Sequence, residues 1–468
     1  MPKEIVWLCN SDVKKRTIVG ETLLLAVRSN RLLMLNKQAT AIWNQLGNSE
    51  GRRESDMLGA LKCEYPNVPV SRLETDIHNF LLDLQARGFV NQCGDHWLNQ
   101  VPISGTKNEA AGHFSFSERL YKLATEQNIP IAGGLEITQH CHLKCIHCYI
   151  ADQPIDYKKE LSTDEICNTL TEMADCGCLW LLITGGEPLV RKDFSDIYQH
   201  AKELGMIVTV FTSATDITER IVRLFIAYPP FLVEATLHGA TEITFDAIAG
   251  VRGAFRKFQR GIRLLEEGKI PFHLKMIAMR QNVQEVEDAR QLALNMGAGD
   301  FRFDPMINAD LSHSPKVADL RVAIKDAIKL DHLEPYRKRW ERVYHNAINR
   351  QATAPQSSNG LLFPCRAGKC SFSISSDGQL LPCILARTPA FNLRRIPFSE
   401  AWKALSDYTN NARMERENLC LKCSVKACPK CPAWGYLEHG DLNLKSRFAC
   451  ALQEEREKAF LHLQIKGG

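Results

Sequence analysis

Apolar residues in the first hundred positions follow two different periods. In the run TLLLAVRSNRLLMLN they predict two strands, Leu23–Val27 and Leu32–Leu35, joined by a Ser-Asn-Arg turn. The segment ATAIWNQLG predicts a short helix that ends at Gly47. A longer helix follows, with Ser71 and Glu74 as its capping box. Its apolar face consists of Leu73, Ile77, Phe80, Leu81 and Leu84. The pattern predicts a small winged-helix-like α+β domain over residues 1–98.

Two kinds of partner suit this predicted domain, DNA and a peptide. A hairpin with three helices is the shape of a winged-helix DNA-binding domain. Residues 1–98, however, carry 12 Lys or Arg against 11 Asp or Glu, a net charge of +1, which argues against a phosphate-binding face. A strand edge beside an apolar helix is better suited to a peptide that is added as an extra strand.

A linker is predicted over residues 99–130, because the segment VPISGTKNEAAG is rich in small and polar residues. From about Gly134 short apolar strands alternate with helical segments, and Ser162 and Glu165 form a capping box at the first long helix. This alternation predicts a parallel sheet with helices outside it, whose chemistry lies at the carboxyl ends of the strands. The six predicted strands are LEIT, LWLLIT, IVTVFT, FLVEATL, FHLKMIAM and FRFDPMI.

Composition limits the class of protein. The 468 residues are enough for two or three cores, and 58 Lys or Arg against 54 Asp or Glu give a net charge of only +4. So small a charge provides no strong electrostatic attraction for nucleic acid or an anionic membrane. No apolar run reaches the roughly 18 residues that span a bilayer, and MPKEIVWLCN lacks the apolar core of an export signal. We therefore expect a soluble, cytoplasmic protein without a nucleic-acid or membrane partner.

Eleven of the 17 cysteines fall into two groups with specific spacing. Cys141, Cys145 and Cys148 follow the first strand of the βα region as C-x3-C-x2-C, and eight more lie in the last quarter of the chain. The odd total and the lack of an export signal argue against disulfides. Three thiolates suit a four-iron cluster that keeps one iron open for a substrate.

Zinc remains an alternative for the second group. The pairs Cys420/Cys423 and Cys428/Cys431 have the C-x2-C spacing of a zinc ribbon. Structural zinc takes four ligands, however, and the isolated triad supplies only three. Iron and sulfur therefore account for both groups at once. The remaining cysteines are interpreted as small buried hydrophobic residues or incidental thiols, namely Cys9, Cys63, Cys93, Cys167, Cys176 and Cys178.

The triad and the sequence GGEP, which follows the second strand at residues 185–188, together resemble the motifs of the radical S-adenosylmethionine (SAM) superfamily. The resemblance covers roughly Leu135–Ile307 and implies a partial (β/α)6 TIM-type barrel. It also implies that the triad holds a [4Fe-4S] cluster whose open iron binds SAM, and that reduction of SAM yields a 5'-deoxyadenosyl radical. Such a radical abstracts hydrogen from an unactivated carbon, while the protein orients SAM and excludes quenchers.

The same resemblance implies which side chains contact SAM. The two glycines of GGEP would let the backbone approach the SAM amino group, and the glutamate would accept a hydrogen bond from it. His147 would pack near adenine or, alternatively, be a surface imidazole. The hydroxyls of Ser213 and Thr236 suit the ribose, although a turn or helix-capping role suits them equally. The implied SAM-binding residues are His147, Gly185, Gly186, Glu187, Pro188, Ser213 and Thr236.

The order of the last eight cysteines resembles the SPASM domain of peptide-modifying radical SAM enzymes, which includes a G-x4-C signature, here Gly378 and Cys383. This resemblance implies two auxiliary [4Fe-4S] clusters, three clusters in all, with interleaved ligands. The first auxiliary cluster would take Cys365, Cys370, Cys383 and Cys431. The second would take Cys420, Cys423, Cys428 and Cys450.

With a SPASM domain in view, the N-terminal domain resembles the PqqD-like element that recognises leader peptides in maturases of ribosomally made peptides. It would add the leader as a strand beside Leu32–Asn36, against the helix that starts at Ser71. The implied order is leader recognition over 1–98, linker over 99–130, radical SAM barrel over 131–350, SPASM domain over 360–455 and a tail over 456–468.

These resemblances imply an oxidoreductase that installs a crosslink in the core of a precursor peptide. A thioether is the first choice of bond, and a carbon-carbon or carbon-oxygen bond is the second. The partners would be the precursor peptide, bound through its leader, and an electron donor such as ferredoxin or flavodoxin. Arg302 and Asp304 would line the substrate cavity or form an ion pair that braces the barrel.

Two rival functions remain. Enzymes of anaerobic sulfatase maturation have a similar cysteine-rich tail, but an acidic base usually follows their third tail cysteine, whereas Ile384 follows Cys383 here. A non-enzymatic iron-sulfur electron carrier or peptide-binding module would account for the cysteines, but it leaves GGEP unexplained.

Overall fold

The computed structural model describes residues 5–46, 51–92, 118–150, 157–353 and 360–461. The N-terminal region, residues 5–92, contains two antiparallel sheets. One is a meander of β2 (Val13–Ile18), β3 (Glu21–Ala26) and β4 (Arg31–Leu35), in agreement with the two strands predicted there. The other pairs β1 (Val6–Cys9) with β5 (Arg52–Arg53) and β6 (Val90–Gln92). The helices are α1 (Lys37–Gln45), α2 (Glu54–Glu64) and α3 (Val70–Ala86).

Helix α3 has the predicted apolar face but not the predicted cap. Leu73, Ile77, Leu81 and Leu84 are buried, and the last three belong to the apolar core that α3 shares with α1, α2 and the sheets. The N-cap is Pro69, which makes no side-chain capping hydrogen bond, so the prediction of a capping box at Ser71 was wrong. Because Val70 is already helical, Ser71 lies inside the first turn, and its carbonyl oxygen accepts a hydrogen bond from the Thr75 hydroxyl at 2.9 Å.

The central region contains six parallel strands that pair in sequence order. They are β7 (Ala132–Glu136), β8 (Trp180–Thr184), β9 (Ile207–Thr212), β10 (Leu232–Thr236), β11 (Phe272–Ile277) and β12 (Phe301–Asp304). All six predicted strands are present, although β7 ends at Glu136, two residues earlier than predicted. The helices of this region are α4 (described over 118–127), α5 (Thr163–Asp175), α6 (Phe194–Glu203), α7 (Glu219–Ala227), α8 (Glu242–Ala249), α9 (Ala254–Glu267) and α10 (Val286–Asn295). The Ser162/Glu165 capping box at α5 is formed as predicted.

Successive residues of these strands face opposite sides of the sheet. One set, with Val208, Val210 and Val233 among its members, is buried in the main apolar core with the helices. The other set is half-buried and includes polar side chains. On that side the Lys275 ammonium lies 3.2 Å from the centre of the Phe211 ring and 3.5 Å from the Glu234 carboxylate. Arg302 also pairs with Glu234, whereas Asp304 accepts the Met306 amide at 2.8 Å, so Arg302 and Asp304 make separate contacts.

The C-terminal region extends the same sheet, which the sequence did not predict. Strand β13 (Ser371–Ile374) pairs in parallel with β7, and β14 (Gln379–Leu381) and β15 (Phe391–Asn392) follow in antiparallel order, giving a nine-stranded sheet. The helices after the βα region are α11 (Ile324–Asp331), α12 (Tyr336–Thr353), α13 (Phe398–Asn411), α14 (Pro432–His439) and α15 (Arg447–Leu461). Among the helices that the structure describes, none combines the length and apolarity needed to cross a membrane.

The N-terminal region docks on the amino ends of the parallel strands. The Arg16 guanidinium donates to the carbonyl oxygen of Ala174 in the last turn of α5 at 2.6 Å and to that of Cys178, just before β8, at 2.9 Å. The apolar part of this contact joins the outer face of the meander to α4 and to the first residues of the strands. Its buried members include Ile18, Leu23, Leu25, Leu120, Ala124 and Ile207.

One side chain in the turn between β3 and β4 makes three hydrogen bonds across this contact. The Asn30 amide donates to the Pro229 and Pro230 carbonyl oxygens, at 2.8 and 2.7 Å, just before β10. Its oxygen accepts from the Lys202 ammonium at 2.5 Å. Lys202 has no exposed surface, and burial lowers its pKa to about 7. The N-terminal region is therefore fixed to the amino ends of the strands by both apolar and polar contacts.

Candidate active site

The loop after β7 carries the three cysteines of the triad and is fixed to α8. The amides of Lys144 and Ile146 donate to the carbonyl oxygens of Ala249 and Ile248, at 2.9 and 3.0 Å. Cys141, Cys145 and Cys148 are all half-buried. Burial raises the pKa of the Cys141 thiol to about 12, and burial followed by the charges of Cys148 and Cys141 raises that of Cys145. Within the described residues, these three thiols do not converge closely enough to hold a single metal ion.

The glycines of GGEP allow a second loop to pack directly on this one. The amides of Gly186 and Glu187 donate to the carbonyl oxygens of Thr138 and His140, each at 2.8 Å. A Cβ atom on Gly185 would lie 2.1 Å from the Thr138 oxygen, and one on Gly186 would lie 2.4 Å from the His140 oxygen. Any side chain at either position would therefore displace the loop that leads to Cys141.

Glu187 is fully buried and joins the ends of two strands. Its carboxylate accepts hydrogen bonds from the Thr212 hydroxyl at 2.7 Å, from the Ser213 amide and hydroxyl at 2.6 Å each, and from the Leu189 amide at 3.2 Å. Burial raises the pKa of Glu187 although these hydrogen bonds oppose the rise. Ser213, predicted as a ribose contact, is bonded to Glu187, and Pro188 begins the 3-10 turn that follows.

Two imidazoles lie beside the triad, a half-buried one on His147 and a buried one on His238. The rings of His147 and His238 are 5.4 Å apart, and the Nε2 atom of His238 is 3.6 Å from the Cys145 sulfur. In the described structure the Nδ1 atoms of both histidines are buried without a hydrogen-bond partner. Burial lowers the pKa of His147 to about 4 and that of His238 to about 3, so both are neutral at pH 7. The Nδ1 atom of His147 is thus enclosed although the side chain is half-buried, and its contact with adenine stays a prediction.

His238 was missed by the sequence reasoning. It lies two residues after Thr236, in the loop that follows β10, and a polar residue just after the carboxyl end of a parallel strand is the signal that could have identified it. Thr236 ends β10 opposite Lys275 in the strand register. The structure thus gathers residues from the ends of β7, β8, β9 and β10 at one edge of the sheet.

The eight C-terminal cysteines divide into two neighbourhoods. Burial, then the nearby thiols of Cys383 and Cys365, raises the pKa of Cys431 to about 12. Burial, and to a smaller extent Cys365, also raises the pKa values of the Cys383 and Cys370 thiols.

The second neighbourhood is formed by four other thiols. Burial, followed by Cys423, Cys450 and Cys420, raises the pKa of Cys428 to about 11. A small cavity of about 20 Å³ is lined by Cys420, Cys428 and Cys450, and also by Cys431. In the described ranges no three acidic, histidine or cysteine side chains converge closely enough to hold one metal ion, so these groups are neighbourhoods and not preformed ligand sets.

Comparison with protein families agrees with this arrangement. Residues 135–293 match the model of the radical SAM superfamily, and residues 21–90 match that of coenzyme PQQ synthesis protein D (PqqD). The chain carries a radical SAM domain and a PqqD domain. The predictions of a radical SAM enzyme and of a PqqD-like element are thereby confirmed.

Similar proteins have related domains. Over 365 residues the chain is 28% identical to PqqA peptide cyclase of Bradyrhizobium diazoefficiens, covering 73% of this chain and 92% of that protein. It is 26% identical to AdoMet-dependent heme synthase of Methanosarcina barkeri, covering 67% and 94%. The structure of Streptococcus suis SuiB bound to SAM has a TM-score of 0.56 at 15% identity and covers 95% of this chain and 99% of SuiB, which extends the similarity of fold to nearly the whole chain.

The radical SAM domain implies SAM and a [4Fe-4S] cluster, and the residues at this edge of the sheet fit both. Three thiols on one short loop are soft ligands of the kind that iron-sulfur clusters take. At Gly185 and Gly186 the backbone can approach a ligand closely, because neither residue has a side chain. The buried Nδ1 atoms of His147 and His238 have no hydrogen-bond partner in the described structure, so they are available to a ligand.

Proposed function

We propose that this chain is a radical SAM peptide maturase that captures a precursor peptide by its leader and installs a crosslink in its core. The observation that carries the proposal is the presence of a PqqD domain and a radical SAM domain in one chain. The names of two similar proteins refer to peptides. One is PqqA peptide cyclase, and the other is SuiB, whose structure has been solved with its precursor peptide SuiA. A heme synthase is similar as well, but a leader-recognition domain has no evident use with a porphyrin.

The leader would bind beside β4 in the proposed recognition domain, a winged-helix-like unit over residues 1–98. Within the described residues β4 is an edge strand of its sheet, and its register with β3 places Leu32, Leu33 and Met34 along that edge. The Arg31 guanidinium donates to the Arg87 carbonyl oxygen at 2.9 Å, so the start of β4 is held next to the end of α3. An added strand would gain main-chain hydrogen bonds from β4 and apolar contacts from this helix.

The remaining domain assignments form part of the same proposal. A linker over 99–130 leads to a partial (β/α)6 barrel over 131–350, and a SPASM domain over 360–455 precedes a tail over 456–468. Cys365, Cys370, Cys383 and Cys431 would hold the first auxiliary [4Fe-4S] cluster. The second would be held by Cys420, Cys423, Cys428 and Cys450, for a total of three clusters.

When bound, the cluster of the triad and SAM supply a radical that abstracts hydrogen from the peptide. The chain's own residues would orient and enclose SAM. Glu187 fixes the end of β8 to Thr212 and Ser213, so the SAM-binding edge keeps its shape. His147 and His238 remain neutral and exclude water around Cys145. Thr236 would face the ribose.

A thioether is the first choice of crosslink, and a carbon-carbon or carbon-oxygen bond is the second. A ferredoxin or flavodoxin would supply the electrons.

The decisive experiment is anaerobic reconstitution with iron and sulfide, followed by incubation with SAM and dithionite. We expect about twelve irons per chain, as three four-iron clusters require, together with 5'-deoxyadenosine. Tightly bound zinc without cleavage of SAM would overturn the proposal. Addition of short peptides encoded beside the gene, with mass spectrometry for a loss of two hydrogens, then identifies the substrate and the bond.

A mutation of β4 tests leader capture separately. Leu33→Asp places a charge among the apolar contacts that an added strand would use, and we expect the affinity for the precursor peptide to fall at least about tenfold. Cleavage of SAM without peptide should persist. The exposed Lys62 on α2 provides the control, since Lys62→Asp should leave the affinity unchanged.

A further inference from the structure

A buried ion pair joins the end of β7 to the C-terminal cysteine region. Arg387 follows Cys383 by four residues, and Glu136 is the last residue of β7. Their contact is bidentate, with Nη1 to Oε2 at 2.9 Å and Nη2 to Oε1 at 2.7 Å. The exposed fractions of the two side chains are 16% and 3%. A planar guanidinium held by two parallel hydrogen bonds fixes orientation as well as distance.

The loop of the cysteine triad binds to the same carboxylate. Tyr149 directly follows Cys148, and its hydroxyl donates to Oε1 of Glu136 at 3.2 Å. Glu136 therefore receives one group from the loop of Cys148 and one from the loop of Cys383.

On the other side, Arg387 is anchored next to a cysteine sulfur. The amide of Ala386, the residue before it, donates to the Cys383 sulfur at 3.4 Å. A continuous path of covalent and hydrogen bonds thus leads from Cys148 through Tyr149, Glu136 and Arg387 to Cys383. Along the sequence, Glu136 and Arg387 are 251 residues apart.

A second Arg–Glu pair between the same two regions provides a contrast. Arg394 binds Glu165 at the start of α5 at 2.6 Å, but the two side chains are 34% and 38% exposed. Neither of these residues adjoins a cysteine of the two groups. Solvent screens such a pair, whereas loss of one partner from the buried pair leaves an uncompensated charge.

We propose that Arg387 is a positioning residue that locks the loop of Cys383 against the loop of Cys148 through Glu136, and so sets the separation of the two cluster sites. The inference rests on the proposed function in one respect, because it takes Cys383 as a ligand of the first auxiliary cluster. The separation of two redox sites governs electron transfer between them, so this pair keeps the auxiliary site in a defined relation to the site of SAM cleavage.

The first test uses the protein without metal and needs no substrate. Arg387→Lys keeps the charge but removes the bidentate fork, and Arg394→Lys is the matched control. Alkylation by iodoacetamide is followed at each cysteine by mass spectrometry. We expect Cys383 and Cys148 to react at least about fivefold faster in Arg387→Lys than in the wild type, because the two loops open more often, and to be unchanged in Arg394→Lys. Equal rates in all three proteins would overturn the inference.

The second test uses the reconstituted protein. Dipolar broadening between reduced clusters in the electron paramagnetic resonance spectrum reports their separation, and uncoupled formation of 5'-deoxyadenosine reports SAM cleavage. We expect Arg387→Lys to keep its iron and SAM cleavage while the dipolar broadening changes, and Arg394→Lys to match the wild type. Unaltered broadening in Arg387→Lys would contradict the inference.

Two further outcomes remain informative. If Arg387→Lys does not fold, Tyr149→Phe removes a single hydroxyl and should raise the reactivity of Cys148 alone, whereas an unchanged rate would count against the network. If the wild type neither assembles clusters nor cleaves SAM, the proposed function fails, and the alkylation rates still decide whether Arg387 locks the two loops.

Discussion

The two ends of the parallel strands β7–β12 are built in different ways. At the amino ends, the N-terminal region covers the strands with apolar side chains, and the buried Lys202 ammonium is paired with Asn30, which makes three hydrogen bonds. At the carboxyl ends, imidazole nitrogens of His147 and His238 are buried without partners in the described structure. Unpaired buried polar atoms cost free energy. The difference agrees with the proposal that the amino ends maintain the fold, while the carboxyl ends carry the binding and chemistry.

The largest effect should come from the triad. Cys145→Ala removes one of three ligands, so we expect SAM cleavage to fall below detection and iron content to drop by about four atoms per chain. The readouts are iron analysis and 5'-deoxyadenosine by chromatography. Cys63→Ala, which changes an exposed cysteine on α2, is the control and should behave as the wild type. Full SAM cleavage by Cys145→Ala would show that the carboxyl ends of the strands do not carry the chemistry.

A smaller but still large effect is expected from Gly186→Ala. The new Cβ would lie 2.4 and 2.5 Å from the carbonyl oxygens of His140 and Gln139. We expect the free energy of unfolding to fall by about 2–4 kcal/mol, measured by urea denaturation, because backbone on both sides must shift. Gly59→Ala in α2 meets nothing within 4 Å and should stabilise the protein by about 0.5–1 kcal/mol. Similar changes for both variants would show that the two loops do not need their close contact.

The pH dependence of stability tests the burial of Lys202 at the amino ends of the strands. Burial lowers the pKa of Lys202 to about 7 from its ordinary 10.5, so between these values the unfolded chain binds more protons than the folded protein. Stability should therefore rise with pH between about 7 and 10.5, by up to about 1.4 kcal/mol per pH unit, and level off below pH 7, where the folded protein is protonated as well. Urea unfolding at several pH values measures the slope. Lys202→Met should abolish this contribution, whereas Lys62→Met at an exposed site should keep it. An equal slope in both variants would contradict the assignment.

The smallest effect compares two helix starts. Ser162 caps α5, which follows the triad loop, through a reciprocal pair of hydrogen bonds with Glu165 at 3.2 and 2.8 Å. Ser162→Ala should cost about 1 kcal/mol in thermal or urea unfolding. Ser71→Ala in α3 should cost close to nothing, because that hydroxyl caps no helix. A larger loss of stability in Ser71→Ala than in Ser162→Ala would contradict the assignment of the helix caps from the structure.

Sequence patterns predicted the elements well where the signal is local. The six parallel strands, the hairpin of β3 and β4 and the capping box of α5 all depend on residues close together in the chain. The Ser71 box failed for a local reason too, because Pro69 precedes a helix that has already begun. Pairing of β13 with β7 was not predicted, since nothing in either strand specifies a partner more than 200 residues away.

The sequence by itself determined the kind of chemistry. The spacing of Cys141, Cys145 and Cys148 puts three thiols on one short loop, and Gly185 and Gly186 permit a close backbone approach wherever that loop lies. The cysteine spacing and the glycine pair each lie within a short segment, so both can be recognised from the sequence without knowledge of the fold.

Only the tertiary structure decided which groups meet. It directed the Glu187 carboxylate to Thr212 and Ser213, brought His238 to Cys145, and joined Glu136 to Arg387. Such contacts depend on how strands and loops distant in sequence are packed, because a side chain's partners are fixed by the free energy of burying and pairing it in the whole fold.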